Sequence, residues 1–121
     1  KGVAQVNGVN GTIFLPDNWT CPSDVTFKSG SAGYGIDFYA GHQSFTAEQW
    51  AVLEAAGAVF LPAAGNRGGW NVFDVQYCGY YWSSTEGGNN GAYYLINYSD
   101  ISGVNYYNRA SGYSVRLVKD L

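Results

Sequence analysis

Side chains able to make or break bonds are few and scattered in this sequence. His42 is the single histidine, so Ser-His or Cys-His catalysis would have to draw on that ring alone. Its place just before a helix cap gives it a structural or solvent-facing role instead. Glu48 and Glu54 belong to the solvated face of one helix. Asp17, Asp24, Asp37, Asp74 and Asp100 follow no calcium-loop spacing, and Gly65, Gly68 and Gly69 are too irregular for a phosphate loop. The expectation is therefore no enzyme, no metal and no cofactor. Cys21 and Cys78 could pair in an exported protein, but two cysteines make no framework, and unrelated thiols are the favoured reading. Sequons at Asn10, Asn18 and Asn97 arise easily by chance in Asn-rich sequence.

Binding chemistry is better supplied. Nine of the eleven tyrosines lie at or after Tyr77, and thirteen of the seventeen residues from Asn97 to Tyr113 are Asn, Tyr, Ser, Asp or Gly. Tyrosine gives large, rigid contact area at low entropy cost, and Ser, Gly and Asn add adaptable hydrogen bonds, as in antibody paratopes. The alternative is that the rings pack on one another in a loop-rich core. Tyr81, Trp82 and Tyr93 fit the core. Tyr98, Tyr106, Tyr107 and Tyr113, set among Asn, Ser and Asp, fit a displayed surface.

The scaffold that must hold these residues is small. A chain of 121 residues fits a single domain, residues 1–121, able to bury roughly two-thirds of its unfolded surface. Hydrophobic residues make up 46% and charged residues only 12%, against roughly 25% charged in an average domain. A net charge of −3 with six dispersed basic residues gives no footprint for nucleic acid or an anionic membrane. No apolar run approaches a membrane span, so direct insertion is not expected, and Lys1 opens no signal peptide.

Local signals set the elements. Val3, Val6 and Val9 alternate weakly, and Asn7-Gly8 and Asn10-Gly11 both read as turns. Thr12 to Leu15 reads as a strand stopped by Pro16, and Trp19 folds back onto the core from a turn-rich connector. Val25 to Tyr39 is a glycine-broken loop pinned by Phe27, Tyr34, Phe38 and Tyr39. Thr46 caps a helix over Ala47–Ala56, Gln49 completes its capping box, and Phe45 and Trp50 form the staple. Gly57 ends it in the left-handed region. Ala58 to Leu61, Val72 to Tyr77, Ala92 to Tyr98 and Ser114 to Lys119 read as strands, with Val115–Leu117 in a central one. The predicted fold class is α+β: small antiparallel sheets, one or two helices and much irregular loop.

Five segments carry a resemblance. Phe60-Leu61-Pro62-Ala63-Ala64-Gly65, Gly79-Tyr80-Tyr81-Trp82-Ser83-Ser84-Thr85, Ala92-Tyr93-Tyr94-Leu95, Arg109 and Gly112-Tyr113-Ser114-Val115-Arg116-Leu117-Val118 together resemble a bacterial surface-domain family. That family has a C-type-lectin-like fold close to the formylglycine-generating-enzyme branch, and the C-terminal part is similar to the variable proteins of diversity-generating retroelements. The likeness covers residues 58 to 121 well and the N-terminal half more loosely. The Tyr-Trp-Ser-Ser and Ser-Val-Arg-Leu-Val segments are specific as a pair and weak singly.

The resemblance implies that Asn codons diversify towards Tyr, Ser, Asp, Gly, Ile, Cys and others by template adenine mutagenesis, over a variable region of about 71–113. The positions carried over are Asn71, Tyr77, Cys78, Tyr80, Glu86, Asn89, Asn90, Tyr94, Ile96, Tyr98, Asp100, Asn105, Tyr106, Asn108, Ala110, Ser111 and Tyr113. Asn97 departs from the pattern, which places an aromatic at that position after Leu95. Calcium-dependent lectin motifs are missing, since Trp70-Asn71 is followed by Val72. Cys21 and Cys78 do not reproduce the reactive cysteine pair of the formylglycine-generating enzyme, so catalysis does not follow from the fold. The expected function is a non-enzymatic ligand-binding domain, displayed on a bacterial surface or phage particle, that presents a Tyr/Asn/Ser face to a protein or glycan. An invariant adhesin or structural module of the same fold is the alternative. Asn71, Tyr80, Tyr94, Tyr98, Asn105, Tyr106, Asn108 and Tyr113 are expected to point outward together.

Overall fold

Asn7 and Gly8 turn the chain with φ of 47° and 81°, the two positive values that a tight two-residue hairpin needs and that Asn-Gly adopts at least cost. They join β1 (Gly2–Val6) to β2 (Val9–Phe14) in antiparallel register, Val6 opposite Val9. The computed structural model describes residues 1–30, 38–98 and 102–117. Asn10-Gly11, read from sequence as a second turn, lies inside β2 instead. The Asn10 side chain is committed elsewhere, accepting from the Gln5 amide at 3.1 Å and donating to the Gln76 carbonyl oxygen at 3.0 Å. Gly11 is needed for close approach, because any Cβ there would meet the Phe60 ring and the Leu61 carbonyl.

β3 (Ser44–Phe45) joins β1 in parallel and β4 (Val59–Pro62) joins β2 antiparallel, which gives a sheet in the order β3-β1-β2-β4. One face of this sheet carries Ala4, Val6 and Ile13, packed with Val25, Phe45, Leu53 and Ala58, and with Trp19, Phe27, Trp50 and Phe60 around them. Trp19 thus folds back as expected. Two short helices flank the sheet, α1 (Phe38–His42) and α2 (Ala47–Ala55); α2 adds Trp50 and Leu53 to that cover, while α1 sets Tyr39 against Val3 instead. The capping box at Thr46 and Gln49 forms in full. Ala56 is the C-cap residue and Gly57 follows it at φ 93°, the left-handed end expected of it, while the helix stops at Ala55, one residue short of the sequence reading.

The opposite face of the sheet is polar where hydrophobic cover would be usual. Val3, Tyr39 and Ala63 form a small apolar cluster there beside the buried Asn10 and Thr12, while at the outer edge of β1 Gln43 donates to the Val3 and Lys28 carbonyls at 2.9 Å each. This seam carries the second sheet, β7 (Cys78–Glu86), β8 (Gly91–Tyr98) and β9 (Ser102–Asn108), in the order β7-β8-β9. A two-stranded ribbon, β5 (Asn66–Gly68) and β6 (Asn71–Phe73), lies between the sheets in sequence. The whole is a mixed α+β domain of small sheets, two helices and irregular connections.

The last expected strand is a correction. Ser114 alone bridges Tyr81 in parallel, and Val115 and Leu117 stand 68% and 88% exposed, so no central strand runs through Val115–Leu117. Beyond Trp82 the strand β7 loses its register with β8: Trp82 faces Tyr94 and Glu86 faces Ala92. The irregular stretch offers no continuous ladder for a following chain segment. Val118 and Lys119, like Tyr34, Asp37 and Asp100, lie outside the described residues.

Candidate binding face

Residues directly opposite in an antiparallel pair share a face, so the register of the second sheet sorts its side chains. Tyr80 faces Ile96, Trp82 faces Tyr94, Tyr94 faces Asn105 and Ala92 faces Tyr107. Tyr80, Trp82, Tyr94, Ile96, Asn105 and Tyr107 therefore occupy one face, and none of them carries a charge. The alternation of Tyr93, Leu95 and Asn97 against Tyr94, Ile96 and Tyr98 matches the sequence reading of this strand.

Tyr113 closes over that face after the turn that follows β9. Its ring centroid lies 4.5 Å from Trp82, 4.8 Å from Tyr94, 5.0 Å from Tyr80 and 6.2 Å from Tyr107. Tyr80 and Tyr107 stack on it with planes inclined by 25° and 22°. Trp82 and Tyr94 meet edge to face at 6.0 Å. Such pairs add roughly 0.5–1.5 kcal/mol each beyond area burial, so the five rings hold one another in place. Burial pushes the Tyr113 hydroxyl up to about 12, with the neighbouring Tyr94 and Tyr107 adding to the effect. Burial also raises Tyr80, aided by its hydrogen bond to the Asp74 carboxylate at 2.9 Å.

The sequence-predicted positions divide. Tyr80, Tyr94, Ile96, Asn105 and Tyr113 come together, but Tyr94 is only 6% exposed and forms the floor of the cluster. Tyr106 and Asn108 point to the opposite face, where Tyr106 packs on Tyr93 and its hydroxyl donates to the Gly88 carbonyl at 3.0 Å. Asn71 lies on the separate ribbon, and Tyr98 stacks on Tyr77 at 6.0 Å near the scaffold. The expectation of one outward side for all eight residues is thus corrected, because period-two alternation sends neighbours such as Asn105 and Tyr106 to opposite faces. Glu86 pairs with Arg109 at 3.5 Å beside the β7–β8 turn, where Asn89 and Asn90 take φ of 40° and 64°. Ala110 and Ser111 form the turn after β9, and Cys78 is buried at the head of β7. Asp100 is outside the described residues.

Two members escaped the sequence reading. Trp82 reads as core from the sequence, yet it is half-buried within the cluster. Tyr107 reads as displayed yet outside the shared face; it is 54% exposed and flanks Tyr113 on that face. The missing signal was the pairing of β9 with β8. Tyr93, which also reads as core, is 40% exposed. The Cys21 thiol donates to the Val25 carbonyl at 3.3 Å, in keeping with unrelated thiols. Among the described residues no three His, Cys, Asp or Glu side chains gather to hold a metal, and no helix is long and apolar enough to cross a membrane.

No protein-family model, no curated protein and no solved structure matches this chain.

Proposed function

We propose that this protein is a non-catalytic ligand-binding domain whose working surface is the aromatic face of the β7-β8-β9 sheet. The observation that carries the reading is the uncharged cluster of Tyr80, Trp82, Tyr94, Tyr107 and Tyr113, with Asn105 exposed beside Tyr94. Packed rings with free outer edges lose little entropy on contact, and amide and phenol groups supply directional hydrogen bonds. A protein or glycan is the ligand class that suits such a surface. The C-type-lectin-like fold, display outside a bacterial cell or on a phage particle, and diversification of the face all belong to this proposal and rest on the motif resemblance.

An invariant adhesin or structural module is the second reading, and the burial of Tyr94 favours it, since a floor residue tolerates little exchange. Sibling copies of the gene from one population separate the two. Diversification predicts differences concentrated at the carried-over positions, with the exposed Asn105, Asn108 and Ala110 varying most. Identical residues there, or differences spread evenly along the chain, would leave the invariant module.

A further inference from the structure

Strand β7 has a second neighbour besides β8. The Ser114 N–H donates to the Tyr80 carbonyl at 2.9 Å and the Trp82 N–H donates to the Ser114 carbonyl at 3.0 Å. Val115, Arg116 and Leu117 then part from the strand, and a groove of about 560 Å³ opens between them and Trp82, Ser83 and Ser84. That volume lies within the range of small-ligand sites, roughly 300–1,000 Å³.

Three features define what the groove can hold. Arg116 makes no ion pair among the described residues, whereas Arg109 is engaged by Glu86. A guanidinium with no carboxylate partner among the described residues, in a chain of net charge −3, suits an anionic group, and its planar fork matches a carboxylate best. Trp82, Val115 and Leu117 supply apolar walls. The Trp82 amide points out of the sheet towards Ser114, and in a strand the N–H and C=O of one residue point the same way. The Trp82 carbonyl is therefore an outward acceptor, and no bond to it is found among the described residues.

We propose that this groove captures the C-terminal residue of a partner polypeptide when that residue is apolar. The terminal carboxylate is held by Arg116, the side chain lies against Trp82, Val115 and Leu117, and the terminal residue's N–H donates to the Trp82 carbonyl. A fatty acid would satisfy the first two contacts but has no N–H to give, which selects a peptide. The groove shares only Trp82 with the aromatic face, and it stands or falls without the diversified-face reading.

Fluorescence anisotropy on the full chain tests this with a fluorescein-labelled Gly-Ser-Gly-Val-Leu peptide in three forms: free acid, C-terminal amide, and free acid with N-methylated leucine. The free acid is expected to bind, with the amide and the N-methyl form each weaker by about fivefold, the scale of one exposed charge pair or hydrogen bond. Arg116→Gln, at an exposed position, is expected to weaken the free acid by about fivefold and leave the amide unchanged. Equal binding of acid and amide, no binding of either, or an Arg116→Gln effect on both alike overturns the proposal. So does octanoate competing as well as the unlabelled peptide, which would make the occupant a fatty acid. A concentration-dependent dimer whose formation blocks the peptide would give the groove to a second copy and overturn it as well.

Discussion

The side-chain amide of Asn97 donates to the Leu61 carbonyl oxygen at 3.2 Å, and Asn97 is fully buried. This one bond ties the middle of the aromatic sheet to the edge of the scaffold sheet. Tyr81 makes a parallel tie beside it, its hydroxyl donating to the Pro62 carbonyl at 2.7 Å. Gly79 completes the joint, since any Cβ there would meet the Asn97 amide oxygen and the Pro62 carbonyl. Polar side chains reaching backbone acceptors fix distance and direction more tightly than apolar contact does. The face is thereby held rigidly to its support.

Asn97→Ala is expected to destabilise the fold by about 1–3 kcal/mol, because it removes a buried side-chain hydrogen bond and leaves a cavity where the two sheets meet. Urea denaturation followed by tryptophan fluorescence measures it. Asn97→Asp should cost more, since a buried carboxylate would then face a carbonyl oxygen. Equal stability of native and Asn97→Ala proteins would remove the tie from the account.

Gly8→Ala isolates backbone strain from packing. A Cβ at Gly8 meets nothing within 4 Å, yet the residue's φ is 81°, so the whole cost is conformational. Roughly 1 kcal/mol is expected, with Gly8→Asn losing less because Asn tolerates the left-handed region. A drop in melting temperature that is the same for both variants would contradict a φ-driven effect.

Alkaline titration reads the buried phenols. Tyr81 is pushed up to about 12 by burial, against the opposing pull of Arg116, and Tyr113 is pushed to about the same value. The folded-state values lie above the ordinary value of 10.0, so the folded state holds these protons more tightly than the unfolded chain. Their contribution is fully present below pH 10 and is lost as pH rises from about 10 towards about 12. Tyrosinate absorbance should show a late fraction whose appearance coincides with loss of structure by circular dichroism. Complete ionisation near pH 10 with structure retained would contradict the burial of both rings.

Tyr94→Ala and Tyr107→Ala separate floor from surface. Tyr94 is buried under Trp82 and Tyr113, and its truncation should cost about 3 kcal/mol. Tyr107 is 54% exposed, and its truncation should stay within about 0.5–1 kcal/mol. Thermal melting of the two variants checks the order, and a reversed order would invert the assignment of inside and outside on this face.

The elements set by short-range chemistry were legible in the sequence. Thr46 and Gln49 lie within one helical turn of each other, and Asn7-Gly8 needs only its own φ values, so both signals act without the rest of the chain. The alternation along Ala92–Tyr98 was legible for the same reason. Which side of that alternation met the scaffold was settled by contacts between distant residues: Asn97 with Leu61, Tyr81 with Pro62 and Tyr39 with the Tyr77 carbonyl at 2.7 Å. Composition marked residues 97–113 as contact material, but Asn105 and Tyr106 were separated only when β9 paired with β8. Asn10-Gly11 carried the same local turn signal as Asn7-Gly8 and became strand because Gln76, far along the chain, bonded to it. Val115–Leu117 had the composition of a strand and found no regular edge to join. Residue type fixed what each segment was able to form, and long-range register decided which of those forms had partners.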